Sequence, residues 1–300
     1  MQHTSTNGLR KFSVVTVRAK QVLLLLVSFW LCWAPQVAHA AMKVRYYEPM
    51  NEKDEYPIDL LKFILDSADA DYELEPVPTA DMTEIRQIAD VNAGHVSFVP
   101  LAANKRANDA LAPVPYPIFR GLLGHRVLLI REHEQSRFDQ IDSISELQQL
   151  KGGQGRFWPD TQVLLSAGLD IETPVKYEGL FHMLEGGRFD FFPRGLQEPV
   201  SELNARPELE LSIEESLLMV YPMPMFFYAS KGNQEFVKTL SQGFENATKD
   251  GSFEKWFVKH PLIAETLSKI DLKGRTILRL ENPHLPTLVP VEREELWLKL

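Results

Sequence analysis

The sequence predicts an α/β fold of two Rossmann-like lobes that are joined by a two-strand hinge. Strand-like and helix-like patterns alternate after residue 41, which is typical of parallel strands connected by crossover helices. The alternation begins again after a proline-containing apolar stretch at residues 110–132, and a second such stretch at residues 209–233 brings the chain back. With 300 residues, the chain is also long for a single hydrophobic core.

The first 40 residues have the three parts of a secretory signal peptide. Four basic residues and no acidic ones precede an apolar run at residues 22–33, and Ala38 and Ala40 then form an A-x-A cleavage site. The run is shorter than the roughly 20 residues of a membrane-spanning helix, so we prefer cleavage after Ala40 to the alternative, an uncleaved anchor. Cleavage removes the only cysteine, Cys32. We therefore expect a periplasmic protein that is stable without disulfides.

The net charge of −9 argues against partners that are bound through clustered basic residues. Nucleic acids and anionic lipid surfaces are such partners, and we expect neither. The sequence has no Walker loop and no serine-centred nucleophile elbow. His182 and Glu185 have the i, i+3 spacing of two metal ligands but lack an evident third. We expect no cofactor, no metal and no catalytic residue.

The first lobe is predicted to begin at residue 41 and to extend to residue 122. Its β-α-β-α-β order is typical of a parallel sheet. Apolar residues at Ile58, Leu61 and Leu65 recur with helical spacing, and Gly94 is a helix stop signal. The predicted elements are a strand at 42–48, a helix at 58–68, a strand at 72–78, a helix at 82–94 and a strand at 95–102.

The second lobe is predicted over residues 123–221, and residues 222–300 are predicted to return to the first lobe as closing helices and a tail. The aromatic run at residues 188–192 is typical of a buried strand, and Pro193 is expected to end it. The predicted elements of this lobe are strands at 124–132, 153–158, 174–179 and 188–192, and helices at 143–152, 160–168 and 179–187.

Four stretches, taken in their order along the chain, resemble type II periplasmic solute-binding proteins. The resemblance is to the extracellular solute-binding proteins of family 3, which serve amino-acid ABC transporters, and it covers nearly all of residues 43–260. It implies two lobes that close about a hinge on a small polar molecule, usually an amino acid or a related acid. The stretches are GHVSFVPLAANKRANDALAPVPYPIFRGLLGHRVLLIR, LQQLKGGQGRFWPDTQVLLSAG, MLEGGRFDFF and FVKTLSQGFENATKDGSFEKWF.

Three arginines are candidates for holding the carboxylate of such a ligand, because a guanidinium can form two parallel hydrogen bonds with it. Arg106 falls where the resemblance places the family's carboxylate-binding arginine, although the threonine usual two or three positions earlier is replaced. Arg194 follows the predicted strand 188–192, at an end that should face the cleft. Arg120 lies at the first crossing, where pinning the connection is the alternative role.

Aromatic, acidic and hydroxyl candidates come from other element ends. Neighbouring strand residues point in opposite directions, so one of two adjacent tyrosines faces the core, and we choose Tyr47 with Glu48 for the cleft. Trp158 either lines the cleft or packs in the core. Asp160 or Thr161 is expected to cap the following helix. Because a carboxylate there repels a ligand's carboxylate, either the ligand presents an amine or the helix end is closed to it.

These features favour a non-catalytic exported binding protein. It would present a small polar or acidic solute to an inner-membrane permease or receptor, and we expect it to be a monomer. One alternative is an enzyme on the same scaffold, such as a dehydratase or lyase, with Glu48, Asp160 or Glu198 as general acid or base. Another is a ligand sensor whose closed form docks onto a membrane signalling protein.

Overall fold

The computed structural model describes Met1 and residues 41–79 and 83–299. Apart from Met1, the predicted signal peptide lies outside the described residues. Within the described ranges, no helix is both long and apolar enough to cross a membrane. The lobe limits at residues 122 and 221 stay a prediction, because Ala41–Leu300 form one compact unit.

Strands and helices alternate along most of the described chain. The strands are β1 (Met42–Tyr47), β2 (Tyr72–Val77), β3 (Phe98–Ala102), β4 (Ala112–Val114), β5 (His125–Arg131), β6 (Lys151–Gly153), β7 (Asp170–Glu172), β8 (Phe192–Gly195), β9 (Leu211–Ile213), β10 (Leu217–Val220), β11 (Met225–Ala229) and β12 (Thr276–Arg279). The helices are α1 (Glu52–Ser67), α2 (Glu84–Asn92), α3 (Lys105–Ala110), α4 (Gln135–Phe138), α5 (Ile144–Leu147), α6 (Pro159–Ser166), α7 (Tyr177–Glu185), α8 (Pro199–Asn204), α9 (Gln234–Lys249), α10 (Ser252–Lys259) and α11 (Pro261–Lys269).

The first lobe is built on strands β1 to β4 and on β11, which returns from the second lobe. Strands β1 and β2 are parallel and are joined by α1 as a crossover helix, as predicted. The Ser97 N–H donates to the Arg45 carbonyl at 2.8 Å, which places the start of β3 beside β1. Strand β11 lies antiparallel between β3 and β4. The returning chain is therefore part of the first lobe's own sheet.

The second lobe is centred on β5. This strand pairs antiparallel with β8 on one side and with β9 and β10 on the other. Strands β6 and β7 are parallel, and a single bridge between Gly152 and Phe191 joins β6 to the residue before β8. Strand β12 extends the sheet by pairing in parallel with β10. Part of the tail therefore lies in the second lobe's sheet, which departs from the expected return of residues 222–300 to the first lobe.

Two crossing segments join the lobes and touch each other, as a two-strand hinge requires. The Tyr221 N–H donates to the Gly124 carbonyl at 3.0 Å, and the Ile118 N–H donates to the Met225 carbonyl at 2.9 Å. A Cβ atom at Gly124 would lie 2.0 Å from the Tyr221 carbonyl oxygen. Only glycine permits so close a backbone approach.

The predicted strand at 188–192 is wrong in its bounds. Phe191 forms a single bridge, and β8 itself continues through Pro193 to Gly195. A proline is tolerated inside this strand because the pairing with β6 stops at Phe191, so no N–H donor is needed beyond it on that side. As a consequence, Arg194 lies within a strand and not beyond its end.

Two further predicted strands of the second lobe are also misplaced. Strand β6 ends at Gly153, and residues 154–158 lead into α6 through a turn at Arg156 and Phe157. Strand β7 lies at Asp170–Glu172, and the predicted strand at 174–179 instead contains the start of α7. At 153–158, the glycines interrupt the alternation of a strand. At 174–179, the first turn of a helix has the same alternating polarity as a short strand, so the two cannot be told apart by periodicity.

Candidate ligand-binding cleft

Two adjoining cavities lie between the lobes. One has a volume of about 740 Å³ and is called the main cleft; the other has a volume of about 1190 Å³ and is called the side cavity. Glu84, Trp158, Pro159 and Met223 line both. The main cleft lies beyond the ends of β1 and β3 and beside the start of α6, which is where open α/β sheets bind ligands.

Arg194 is held by two carboxylates of its own lobe. Its Nε donates to Glu202 Oε2 at 2.8 Å, and its Nη2 lies 2.7 Å from Glu202 Oε1 and 3.0 Å from Glu198 Oε1. The guanidinium also lies over the rings of Phe192 and Trp158, at 4.7 and 5.0 Å. Arg194 lines the main cleft but is only 3 % exposed. Its fork is already engaged by protein carboxylates in this structure.

A second buried arginine, Arg126 on β5, adjoins the same cluster. Its Nη2 lies 3.1 Å from Asp160 Oδ2, and its Nη1 donates to Glu198 Oε2 at 3.4 Å. The guanidinium lies 5.7 Å from the centre of the Tyr221 ring. The sequence prediction missed Arg126, although a charge inside the apolar strand HRVLLIR is a usable signal, since a buried charge requires partners. Together these residues, Arg126, Asp160, Arg194, Glu198 and Glu202, form what we call the charge cluster.

Lys53 of α1 reaches this cluster from the first lobe. Its Nζ lies 3.5 Å from Glu202 Oε1 and donates to the Tyr177 hydroxyl at 3.4 Å, while that hydroxyl donates to Glu202. Burial on its own raises the pKa of the Glu202 carboxyl, but Arg194 and then Lys53 outweigh burial and lower that pKa to about 2. Glu202 therefore stays ionised and joins the two lobes electrostatically. No local sequence signal marks Lys53.

Arg106 lies apart from the charge cluster. It is in the first turn of α3, its side chain is 54 % exposed, and its Nη1 is 3.8 Å from Glu84 Oε1. It lines the side cavity, whereas Arg194 lines the main cleft. Asn104 caps α3 by accepting from the Ala107 N–H at 3.0 Å, which is why an asparagine suits this turn. The structure thus places two of the three predicted carboxylate-binding arginines, Arg106 and Arg194, in different cavities.

Tyr47 and Glu48 line the main cleft at the end of β1. The Tyr47 hydroxyl donates to Asp90 Oδ2 at 2.7 Å, which holds the ring against α2. Tyr46 packs against the opposite, core side of the strand. Tyr47 in turn packs partly against the core that includes α2 and β3. The two tyrosines therefore point to opposite sides of β1, each against a core, and the ligand contacts of Tyr47 and Glu48 stay a prediction.

Trp158 combines the two roles that were weighed for it. Its ring lines both cavities and also packs against the aromatic core of the second lobe, at 6.2 Å from the Phe192 ring. One face thus belongs to the core and the remainder to the cavity walls.

The expected helix cap at Asp160 or Thr161 is wrong. Trp158 occupies the N-cap position of α6 without a side-chain hydrogen bond, and Pro159 follows it. Asp160 turns inward, where Arg126 and the Gln154 amide hold it, the latter at 2.6 Å. Thr161 donates to the Gly155 carbonyl at 2.7 Å. Both side chains are buried. Asp160 leaves the helix end because a buried arginine competes for its carboxylate more strongly than the helix end does.

Arg120 lies outside both cavities and fastens the C-terminal segment. Its Nη2 donates to the Glu295 carbonyl at 3.0 Å, and the Leu298 N–H donates to the Arg120 carbonyl at 2.8 Å. Its backbone has φ +48°, which is uncommon for a residue with a side chain. This geometry supports the alternative role, pinning the connection.

No family model and no curated protein matches the sequence. Solved structures do match. An ancestral arginine-binding protein bound to arginine superposes with a TM-score of 0.52 at 18% identity, over 74% of this chain and 98% of that chain. An ancestral amino acid-binding protein, a precursor of cyclohexadienyl dehydratase, gives 0.51 at 17% identity over 72% and 94%.

A histidine kinase sensor domain with similarity to periplasmic binding proteins also superposes, with a TM-score of 0.51 at 13% identity, over 78% of this chain and 98% of that chain. At these identities the likeness shows the fold alone. The predicted α/β fold of two hinged lobes, that of type II periplasmic binding proteins, is confirmed.

Proposed function

We propose that this protein is an exported solute-binding protein that captures a small amino-acid-like solute between its lobes for an inner-membrane transporter. The observation that supports this most directly is the main cleft, whose walls carry aromatic and charged side chains from both lobes. A solute that contacts both walls favours the closed arrangement over the open one, which is how binding drives closure about a hinge.

The charges around the main cleft narrow the class of solute. Among the described residues that line the main cleft, acidic side chains outnumber basic ones. The acidic ones are Glu48, Asp54, Glu84, Asp160, Glu178, Glu198 and Glu202, and the basic ones are Lys53, Arg126, Arg194 and Arg206. A dianionic solute would meet net repulsion, and one that carries an ammonium group would be attracted. We therefore favour a zwitterionic or cationic amino-acid-like solute over an acidic one.

Arg106 and Glu84 are the pair best placed to bind the carboxylate and the ammonium group of such a solute. The 3.8 Å separation between them is longer than a hydrogen bond, so the guanidinium keeps donors for a ligand carboxylate. Glu84 lines both cavities and can accept from a ligand ammonium. A solute at the boundary between the cavities could therefore reach both groups.

A thermal-shift screen against amino acids, dicarboxylates and short peptides tests this proposal. A ligand at 100 times its Kd stabilises the folded state by about 2.7 kcal/mol, which raises the melting temperature of a chain of this size by roughly 4–5 °C. We expect such a rise with a zwitterionic or cationic amino acid and none with dicarboxylates. A screen in which no amino acid or peptide raises the melting temperature contradicts the proposal.

Trp158→Ala should remove the rise in melting temperature, because the ring lines both cavities. Trp256→Ala is the matched control, since Trp256 stacks on Phe63 in the first lobe, at 5.3 Å, and lines neither cavity. Both substitutions lower the starting stability, but only Trp158→Ala should abolish the ligand-induced shift.

One observation supports the enzyme alternative. Burial raises the pKa of the Glu84 carboxyl more than Arg106 and Asn104 lower it, which is the kind of change a general acid requires. Asp160 and Glu198, two of the predicted acid or base candidates, are instead engaged by Arg126. Proton NMR of a bound solute over hours decides between the two functions. An unchanged ligand spectrum supports binding alone, and conversion that stops in Glu84→Gln supports an enzyme.

A further inference from the structure

Beyond the two hinge crossings, the C-terminal segment crosses between the lobes again. It leaves α11 in the first lobe and enters the second lobe as β12, in register with β10. Arg275 secures this end, because its Nη1 donates to the carbonyls of Glu214 and Leu217 at 2.6 and 2.9 Å. The start of the segment is thus firmly attached to the second lobe.

The chain then runs back along the cleft. The Asn282 amide donates to the Pro222 carbonyl at 2.8 Å, beside the second crossing. Two residues later, His284 Nε2 lies 3.3 Å from the Ser166 hydroxyl at the end of α6. Residues 282–288 form one wall of the side cavity, facing α3 of the first lobe and residues 156–163 of the second.

The far end is attached to the first lobe. Val289 is 5 % exposed and, with Leu285 and Leu288, packs against the core of β3 and β11. Beyond it, the Arg293 guanidinium lies 3.0 Å from Glu245 on α9, and Arg120 holds the Glu295 carbonyl. The segment from residue 280 to residue 289, which we call the strap, is therefore anchored to a different lobe at each end.

We propose that the strap ties the second lobe to the first independently of the two hinge crossings and limits how far the cleft opens. Separation of the lobes at the side cavity must break the Ser166–His284 contact or pull Leu285 and Val289 from the first-lobe core. Removing buried aliphatic side chains from a core is strongly unfavourable. Even with these contacts broken, the ten residues of the strap span at most roughly 35 Å when fully extended. The lobes can therefore part at the strap by no more than this length less the distance that its ends already span.

The proposal rests on the two-lobe closure of the proposed function, but its test uses no ligand. The strap can therefore be disproved while the proposed function stands, and the reverse. Spin labels or fluorophores at Lys238→Cys on α9 and Arg188→Cys in the second lobe report the distance between the lobes. Both positions are exposed. The full chain is used with Cys32→Ser, because Cys32 is its only cysteine. A protease recognition sequence inserted after Glu281, which is exposed, allows the strap to be cut in the folded protein.

Cutting the strap should add a population with a longer distance between the lobes, while circular dichroism stays native. The uncut insertion lengthens the strap and should give an intermediate distribution. The same recognition sequence inserted at Gly251, in the turn between α9 and α10 of the first lobe, is the matched control, and cutting it should leave the distance unchanged. An identical distance distribution before and after cutting at Glu281, in natively folded protein, overturns the proposal, whether or not a solute has been found.

Discussion

The second-lobe wall of the main cleft and the first-lobe wall of the side cavity differ in how their charges are satisfied. On the second-lobe wall, Arg126 and Arg194 are almost fully buried, and each is paired with carboxylates of its own lobe. On the first-lobe side, Arg106 is half exposed, and within the described part of the chain its one ion-pair partner is Glu84, at 3.8 Å. One wall is thus complete without a ligand, and the other keeps unfilled hydrogen-bonding capacity.

The difference separates stability from recognition. Each member of a buried ion pair needs the other for stability, since removal of one leaves the other charged and desolvated. Exposed single charges contribute little to stability and remain available to a solute. We therefore expect substitutions on the second-lobe wall to act mainly on folding and those on the first-lobe side to act mainly on binding.

Arg194→Met should have the largest effect on stability. It leaves Glu202 and Glu198 without their main cationic partner, and breaking a buried pair in this way costs about 3–5 kcal/mol. Urea unfolding at pH 7 measures the loss. Arg188→Met, on an exposed arginine of the same lobe, is the matched control and should change stability by no more than about 0.5 kcal/mol. Equal losses in the two variants would mean that the charge cluster is not a stabilising unit.

The same wall should make stability depend on acidity. Because the pKa of Glu202 is lowered to about 2 in the folded protein, its contribution is complete above its ordinary pKa near 4.5 and is lost as the pH falls from there toward 2. The full contribution is roughly 3 kcal/mol. Urea unfolding between pH 7 and pH 3 should show a steeper loss in the native protein than in Glu202→Gln. Parallel curves for the two proteins contradict this assignment.

Much of the fold could be predicted because its signals are local. Strands β1, β2, β3 and β5 and helix α7 follow from periodicity within a few residues. The bounds of β8 could not be predicted, because a proline normally ends a strand. Pro193 is tolerated here only because the pairing with β6 stops at Phe191. That point depends on a neighbour about forty residues earlier in the chain.

The candidate site was less predictable for the same reason. Arg194 was recognised as important, but whether its guanidinium is free depends on Glu198 and Glu202, which face it only after α8 has folded back. Lys53 contacts Glu202 across the lobes, and no spacing in the sequence relates the two. A pattern of residue types identifies a charged position, whereas its partner is fixed by tertiary structure.

Lys53→Met should have a smaller effect on stability than the two preceding changes. The side chain is partly exposed and lies 3.5 Å from Glu202, which retains Arg194 as its closer partner. We expect a loss of about 1 kcal/mol or less in urea unfolding. Lys62→Met on the same helix is the control, because Lys62 pairs with Asp59 on the surface and not with the second lobe. A loss near that of Arg194→Met would show that the contact between the lobes is part of the buried network.

Arg106→Met should have the smallest effect on stability and the clearest effect on binding. Loss of a half-exposed arginine with one distant partner changes the free energy of unfolding by no more than about 0.5 kcal/mol. Loss of a charge-assisted bond to a ligand carboxylate is worth about 1.5–3 kcal/mol, or roughly a 10- to 100-fold weaker Kd by calorimetry. Lys238→Met is the control, since Lys238 is exposed on α9 of the first lobe and lines neither cavity. If Arg106→Met unfolds as easily as Arg194→Met, or if it binds the solute as tightly as the native protein, then recognition and stability are not divided between the two walls.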